Sequence, residues 1–249
     1  MIDPSGYVPR VVRASAEQLR DSGSYVFVSS ISVYADFDEV RTESDPTAEL
    51  DDGSREELAP DYSNYGALKA LCEAEVEQVL GERGLIVRPG LIVGPHDPTG
   101  RFTYWAHRLV RGGEILAPRP PERETQFVDV RDLAEWIIDA VENGLSGVFN
   151  ATSEGIPWAE LLAAARVTWV PDAFLQEHEI GEWMELPLWI ASENGLRVDV
   201  SRAVTSGMRT RPLSETLAGA SDAPAVDGVG LTPEREAELL AAWHKRSAA

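Results

Sequence analysis

The segment Tyr62-Ser63-Asn64-Tyr65-Gly66-Ala67-Leu68-Lys69-Ala70-Leu71-Cys72-Glu73 constrains this chain more than any other stretch, because of what flanks it. Upstream, Tyr25-Val26-Phe27-Val28 runs out into the hydroxyl-rich Ser29-Ser30-Ile31-Ser32-Val33-Tyr34. Downstream lies Gly84-Leu85-Ile86-Val87-Arg88-Pro89-Gly90-Leu91-Ile92-Val93-Gly94-Pro95. Both runs are rich in aromatic and β-branched residues without polar alternation, the pattern of strands buried on both faces. The segment between them reads as a helix with Leu68, Leu71, Cys72, Val76, Val79 and Leu80 as its apolar stripe.

On that helix Tyr65 and Lys69 stand at i and i+4, with Cβ atoms about 6 Å apart on one face. A cation beside a phenol stabilises the phenolate and brings its proton into play near neutral pH, which is what a shuttle at a carbinol or carbonyl requires. The chain has six tyrosines and only two lysines, Lys69 and Lys245. A chance Tyr-x-x-x-Lys therefore arises roughly one time in twenty, so the flanking strands carry much of the weight.

Charge and composition narrow the function classes. The chain of 249 residues carries 22 basic and 42 acidic residues, a net charge of −20. Phosphate backbones and anionic membrane surfaces repel such a body, which argues against both as partners. One cysteine, Cys72, cannot form an internal disulfide and fits a reducing compartment; on its helix face it reads as a small apolar residue. No basic start followed by an apolar stretch opens the chain, and no apolar run is long enough to span a bilayer. A cytoplasmic location is the expectation, and the length suits one to two domains.

Several blocks recur together in one known family. A strand leading to Ser-Ser-x-Ser-Val-Tyr, a long acidic loop, Tyr-x-x-x-Lys opening a helix, Arg-Pro-Gly-x-x-x-Gly-Pro, and Phe127-Val128-Asp129-Val130-Arg131-Asp132-Leu133-Ala134 resemble the extended short-chain dehydrogenase/reductase family. Within it the chain is most similar to the NAD-dependent epimerase/dehydratases, over nearly all of residues 1–215. The resemblance implies an α/β fold: a partial Rossmann-type parallel sheet flanked by helices, with a smaller C-terminal α/β substrate region. Residues 1–113 would form the incomplete Rossmann-type domain and 114–249 mainly the substrate region, with 126–152 returning to the sheet.

It also implies roles. Tyr65 would be the general acid/base, and Lys69 would lower its pKa and bind the nicotinamide ribose. Ser30, counted back from Val33-Tyr34, would orient the substrate oxygen, with Ser29 and Ser32 as alternatives. Gly6, Tyr7, Ser29, Pro89, Gly90 and Leu91, with Tyr65 and Lys69, match positions against the cofactor, NAD or NADP. Family dehydratases carry an Asp-Glu pair directly after the serine; here Ile31 and Ser32 stand there, against dehydration. Reduction, oxidation or epimerisation of a secondary alcohol or carbonyl, of a sugar or nucleotide sugar among other small molecules, stays open. A homodimer through the Tyr65 helix and the preceding crossover helix is a further implication.

The start of the chain departs from the family pattern. Met1-Ile2-Asp3 reads as the end of a buried strand and about Val8 to Asp21 as a crossover helix, which the family would number as its fourth strand and that strand's helix. No Gly-x-Gly-x-x-Gly or Gly-x-x-Gly-x-x-Gly follows a strand anywhere, although that turn is what holds a pyrophosphate. On the order of 60–90 residues of the pattern are missing in front. Either the chain is truncated, or it is a short protein that no longer holds a dinucleotide in the usual way, and a catalytically silent binding or scaffold relative is the alternative function.

Asp36 to Asp61 reads as a solvated acidic loop, or as a lid over substrate, with only Arg41 and Arg55 against its acids. A helix is expected at Phe102 to Arg111, a strand at Glu114 to Ala117, and a Pro/Arg loop at Pro118 to Glu124. Arg119 and Arg123 there are either solvated or meet a substrate phosphate. His96 and His107 lack partners at metal-ligand spacing and read as structural. Further on come a helix over 131–143, a strand over 147–152, a helix at Trp158 to Arg166, and Trp183 and Trp189 as buried residues of the small region or as cleft lining. Ala218 to Gly230 reads as a linker and Thr232 to His244 as a capped terminal helix.

Overall fold

The structure, a computed structural model, describes residues 1–21, 23–50 and 57–247. The chain forms two compact units: Met1–Leu91, Arg131–Glu154 and Leu196–Thr210 make the first, and Ile92–Val130, Gly155–Gly195 and Arg211–Ala249 the second.

The first unit is built on four parallel strands. β1 (Ile2–Asp3), β2 (Tyr25–Val28), β3 (Gly84–Pro89) and the strand Gly147–Ala151 lie side by side in that order. The register sets Phe27 between Asp3 and Ile86, and Val87 beside Phe149. β2 and β3 are buried along their whole length, as their unbroken apolar runs require. Two helices pack on this sheet: α1 (Pro9–Gln18), which opens on a proline whose missing N–H costs nothing in a first turn, and α2 (Tyr65–Leu80). Val12 and Ala16 of α1 meet Cys72, Val76 and Leu80 of α2 over Tyr25, Phe27 and Ile86. Cys72 is thus a buried core residue.

A buried polar layer crosses the other end of α2. The Arg88 guanidinium, leaving β3, grips Glu73 of α2 with Nε 3.0 Å from Oε1 and Nη2 2.6 Å from Oε2. Its Nη1 donates to the Tyr34 hydroxyl at 3.1 Å, and Tyr34 donates to Asn150 Oδ1 at 2.7 Å. The Asn150 backbone N–H donates to Glu43 Oε1 at 2.9 Å. Burial works against the Arg88 charge, but Glu73 more than offsets it and holds the guanidinium protonated.

From 35 to 50 the acidic segment is irregular and has no buried residue, as expected of a solvated loop. Its backbone is nonetheless tied down: Ala35 N donates to Pro46 O, Ala48 N to Val33 O, Arg41 N to Arg197 O and Asp199 N to Arg41 O, at 2.7–3.1 Å. Such partners cannot be read from composition. Asp51 to Glu56, with Arg55, lie outside the described residues.

The second unit contains a parallel pair, Glu114–Pro118 with Arg166–Val170, and the helices Arg101–Arg111, Leu213–Ser221 and Pro233–Ser247. Arg108 and Glu236, both buried and 2.7 Å apart, join the first and last of these helices. The helix expected from Trp158 to Arg166 is a single turn, Trp158–Leu161, and Arg166-Val167-Thr168-Trp169-Val170 is a strand. Its β-branched and aromatic content outweighs the alanines before it. The stretch expected as a linker from Ala218 begins inside the helix Leu213–Ser221.

Replacing Arg88 by Met leaves Glu73 buried without its cation, and the expected cost is about 3–5 kcal/mol. Denaturant unfolding measures it. The double change Arg88→Met, Glu73→Leu is expected to recover most of the loss, since both charges leave together; a single variant as stable as the parent contradicts this account.

Candidate active site

The candidate residues gather in the first unit, at the carboxyl ends of its parallel strands, where open α/β sheets bind ligands. β2 ends at Val28. Ser29 follows with its N–H bonded to Val87 O at 2.6 Å, and its hydroxyl is buried with no hydrogen-bond partner among the described residues. Ser30, in extended conformation, caps a 3₁₀ turn over Ile31–Val33, its Oγ accepting from Ser32 N at 3.1 Å. Ser32 itself is exposed.

α2 starts directly against that turn, and residue 66 makes this geometry possible. A Cβ at Gly66 would stand 1.9 Å from the Ser32 carbonyl oxygen, so only glycine lets the first turn of α2 sit there. The approach brings Tyr65 near Ser30, whose side chain acts to lower the phenol's pKa. Of the three serines considered from the sequence, Ser30 is the one that acts on Tyr65.

Lys69 lies one turn further along α2 and is only 3% exposed. Its Nζ donates to Gly6 O and to Val28 O, both at 2.7 Å, and stands 4.3 Å from the centre of the Phe27 ring. One N–H of the ammonium is left without a partner among the described residues. Burial pulls the Lys69 pKa down to about 8, against the pull of Cys72, Asp3 and Glu73. Burial pushes the Tyr65 phenol up; the Ser30 side chain works against this and Cys72 adds to it. The expected lowering of Tyr65 by Lys69 is therefore corrected: the ammonium is engaged by two carbonyls, and it is not among the groups that shift the phenol.

The remaining sequence candidates occupy distinct places. Gly6 follows β1 and passes close under the helix, where a Cβ would meet Val12 at 2.5 Å and Phe27 at 2.9 Å. The Tyr7 side chain is 44% exposed. Pro89 ends β3 beside Ala151, and Leu91 is half-buried. Gly90 faces Thr152, whose Oγ1 would be 2.6 Å from a Cβ there. That hydroxyl is buried and without a partner among the described residues, like Ser29. Thr152 was not singled out from the sequence, although its place just past the strand Gly147–Ala151 was the available signal.

In the second unit Arg123 is held by Asp172 through both guanidinium arms at 2.9 and 2.8 Å, so its charge is committed to the fold. Arg119 is exposed. His107 Nε2 contacts Ser221 O at 3.0 Å, and His96 sits in a turn with φ of 68°. Trp189 is buried with its Nε1 on Asp172, and Trp183 lies under the Arg101 guanidinium at 4.8 Å. Among the described residues no three His, Cys, Asp or Glu converge as a metal-ligand set, and no helix is long and apolar enough to cross a membrane.

Comparison with known proteins bears on the fold and the family. No curated protein sequence matches the chain. UDP-glucuronic acid 4-epimerase from Bacillus cereus, solved in complex with NAD, is similar with a TM-score of 0.55 and 15% identity, over 85% of this chain and 65% of its own. dTDP-4-dehydrorhamnose reductase from Bacillus anthracis, solved with NADP, gives 0.56 and 18% over 85% and 70%. An enzyme from Bordetella bronchiseptica, WbmH, in complex with NAD+, gives 0.55 and 19% over 84% and 65%. The chain thus spans 65% of the length of the first of these, and at such identities the likeness is one of fold, the Rossmann-like α/β sheet. The model of the NAD dependent epimerase/dehydratase family matches residues 6–151, which is more than half of the sequence, and the chain belongs to that family.

Proposed function

We propose that this chain carries the catalytic site of an NAD(P)-dependent oxidoreductase or epimerase acting on a secondary alcohol or carbonyl of a sugar or nucleotide sugar. The observation that carries the reading is Tyr65 set against the Ser30 turn, with buried Lys69 one turn away, at the carboxyl ends of parallel strands. The nicotinamide half of such a cofactor fits these residues. Lys69 has one N–H to offer a ribose hydroxyl, and Ser29 and Thr152 present buried hydroxyls lacking partners among the described residues. The pyrophosphate half finds no glycine-rich turn in the sequence, so no residue is assigned to it.

When bound, a nicotinamide supplies the hydride chemistry. Tyr65 Oη hands its proton to the substrate oxygen during reduction and takes it back during oxidation. Ser30 Oγ donates to the same oxygen and fixes its orientation. Burial raises the phenol, which stays protonated at neutral pH, while the Ser30 side chain works to lower it. Lys69 holds positive charge one turn from the phenol without using it to lower the phenol's pKa. Val11 of α1 and Leu71 of α2, exposed apolar side chains, belong to the helices through which a homodimer would form. A single cysteine, which can form no internal disulfide, goes with a cytoplasmic setting.

Calorimetric titration with nicotinamide mononucleotide, NAD(H) and NADP(H) tests the reading. Binding is expected, weakened roughly 10–100-fold by Lys69→Met through loss of a charge-assisted hydrogen bond. A folded chain that binds none of them overturns it in favour of the silent relative. In turnover assays with UDP- and dTDP-linked keto sugars, Tyr65→Phe is expected to lower kcat by about a hundredfold or more with dinucleotide affinity nearly unchanged; undiminished turnover removes Tyr65 from its role.

Lys69 and Lys245 are the only lysines, so 13C-lysine NMR reads two side chains. The Lys69 resonance is expected to titrate near pH 8. Its folded-state pKa lies below the ordinary value of 10.5, so between about 8 and 10.5 the unfolded chain binds more protons and stability rises with pH. Urea midpoints across that window check the sign, and Lys69→Met is expected to flatten the rise.

A further inference from the structure

A buried ammonium needs compensation, and the groups nearest Lys69 supply none of it as charge. Gly6 O, Val28 O and the Phe27 ring are neutral. Cys72 and Glu73 on its own helix and Asp3 at the end of β1 act on its charge. Tyr65 lies one turn before it on α2, Tyr25 of β2 donates to Asp3, and Arg88 of β3 holds Glu73. Glu73 is gripped by Arg88 at 2.6–3.2 Å, so its charge is drawn off to a cation. Cys72 is a thiol within the apolar core.

Asp3 differs from both. It is the last residue of β1, buried, and paired in the ladder with Phe27, the residue under the Lys69 ammonium. Its Oδ2 would lie 3.4 Å from a Cβ on Gly6, the residue whose carbonyl Lys69 holds. Its hydrogen bonds come from neutral donors: Ser5 N to Oδ1 at 3.2 Å and Tyr25 Oη to Oδ2 at 3.0 Å. Tyr25 Oη also stands 3.2 Å from Ser15 Oγ. Burial pushes the Tyr25 phenol up to about 12, against the Ser15 hydrogen bond and with the Asp3 charge, so it remains a neutral donor. Asp3 is therefore oriented by its partners without being neutralised by them.

We infer that Asp3 is a positioning residue whose carboxylate is the counter-charge that keeps buried Lys69 protonated at neutral pH, with Tyr25 and Ser5 orienting it. This deepens the proposed function and rests on Lys69 serving that site. Without the carboxylate, desolvation acts on the ammonium with only the paired Glu73 to oppose it as a fixed charge. Lys69 then loses part of its charge near pH 7, and with it the donor offered to a ribose hydroxyl.

The test is the pH titration of the Lys69 side chain by 13C-lysine NMR in the full chain, which requires neither substrate nor turnover. Asp3→Asn keeps an oxygen for Tyr25 and removes the charge; the Lys69 midpoint is expected to fall by about one pH unit. Asp3→Ser, smaller and equally uncharged, carries the same expectation should the first variant not fold. Tyr25→Phe removes the orienting hydroxyl and leaves the charge, and is expected to shift the midpoint by much less. An unchanged midpoint in folded Asp3→Asn or Asp3→Ser overturns the inference, as does an equal fall in Tyr25→Phe, which would mark a packing effect. Failure here leaves Tyr65 and the nucleotide titrations untouched, so it is distinguishable from failure of the proposed function.

Discussion

The buried ion pair between Arg88 and Glu73 is the interaction on which the first unit depends. Two charges taken from water cost several kcal/mol each, and only close geometry with the remaining donors satisfied offsets that. Here the satisfaction extends outward: Arg88 also reaches Tyr34, Tyr34 reaches Asn150, and Asn150 reaches Glu43. One guanidinium thus couples β3, α2, the turn after β2, the strand Gly147–Ala151 and the acidic segment. Such a network rigidifies when complete, because each member left unpaired would bear its full desolvation penalty. Its consequence for chemistry is indirect but firm, since the helix it pins by Glu73 carries Lys69 one turn earlier and Tyr65 two turns earlier.

α2 must satisfy two demands with one sequence. One face, through Cys72, Val76 and Leu80, packs against α1 and the sheet. Its first turn must approach the serine turn closely enough to bring Tyr65 near Ser30, and Gly66 supplies the missing bulk. Glycine at the start of a helix costs roughly 0.5–1 kcal/mol relative to alanine. The site accepts that cost where a side chain would collide with a backbone oxygen.

Much of this was legible in the residues. β2 and β3 declare themselves because a strand covered on both faces has no polar alternation to confuse it, and Tyr65 and Lys69 because helical spacing brings i and i+4 together. What was not legible depends on distant partners. Arg123 reads as a candidate for phosphate until Asp172, 49 residues on, is seen to hold both arms. The acidic segment reads as solvated, and it is, but its backbone bonds to residues 197 and 199 are not visible in its composition. Asp3 and Thr152 carry no local pattern and acquire meaning only from the ends of neighbouring strands. The electrostatic sign at Tyr65 also escaped spacing: proximity on a helix says that two side chains share a face, not that the ammonium is turned toward the phenol.

That last point bears on how the site works. A phenol brought down by a cation trades its proton near neutral pH; a phenol raised by burial holds its proton more tightly. Tyr65 belongs to the second kind, and Lys69 is turned toward Gly6 and Val28 rather than toward it. In the proposed function the phenol gives its proton to the substrate oxygen and the ammonium its N–H to a ligand hydroxyl. Burial acts on the two in opposite senses, favouring the neutral phenol and disfavouring the charged ammonium. A site of this design needs a fixed negative charge near the lysine and none beside the tyrosine, and the strand carrying Asp3 lies on the side of the lysine.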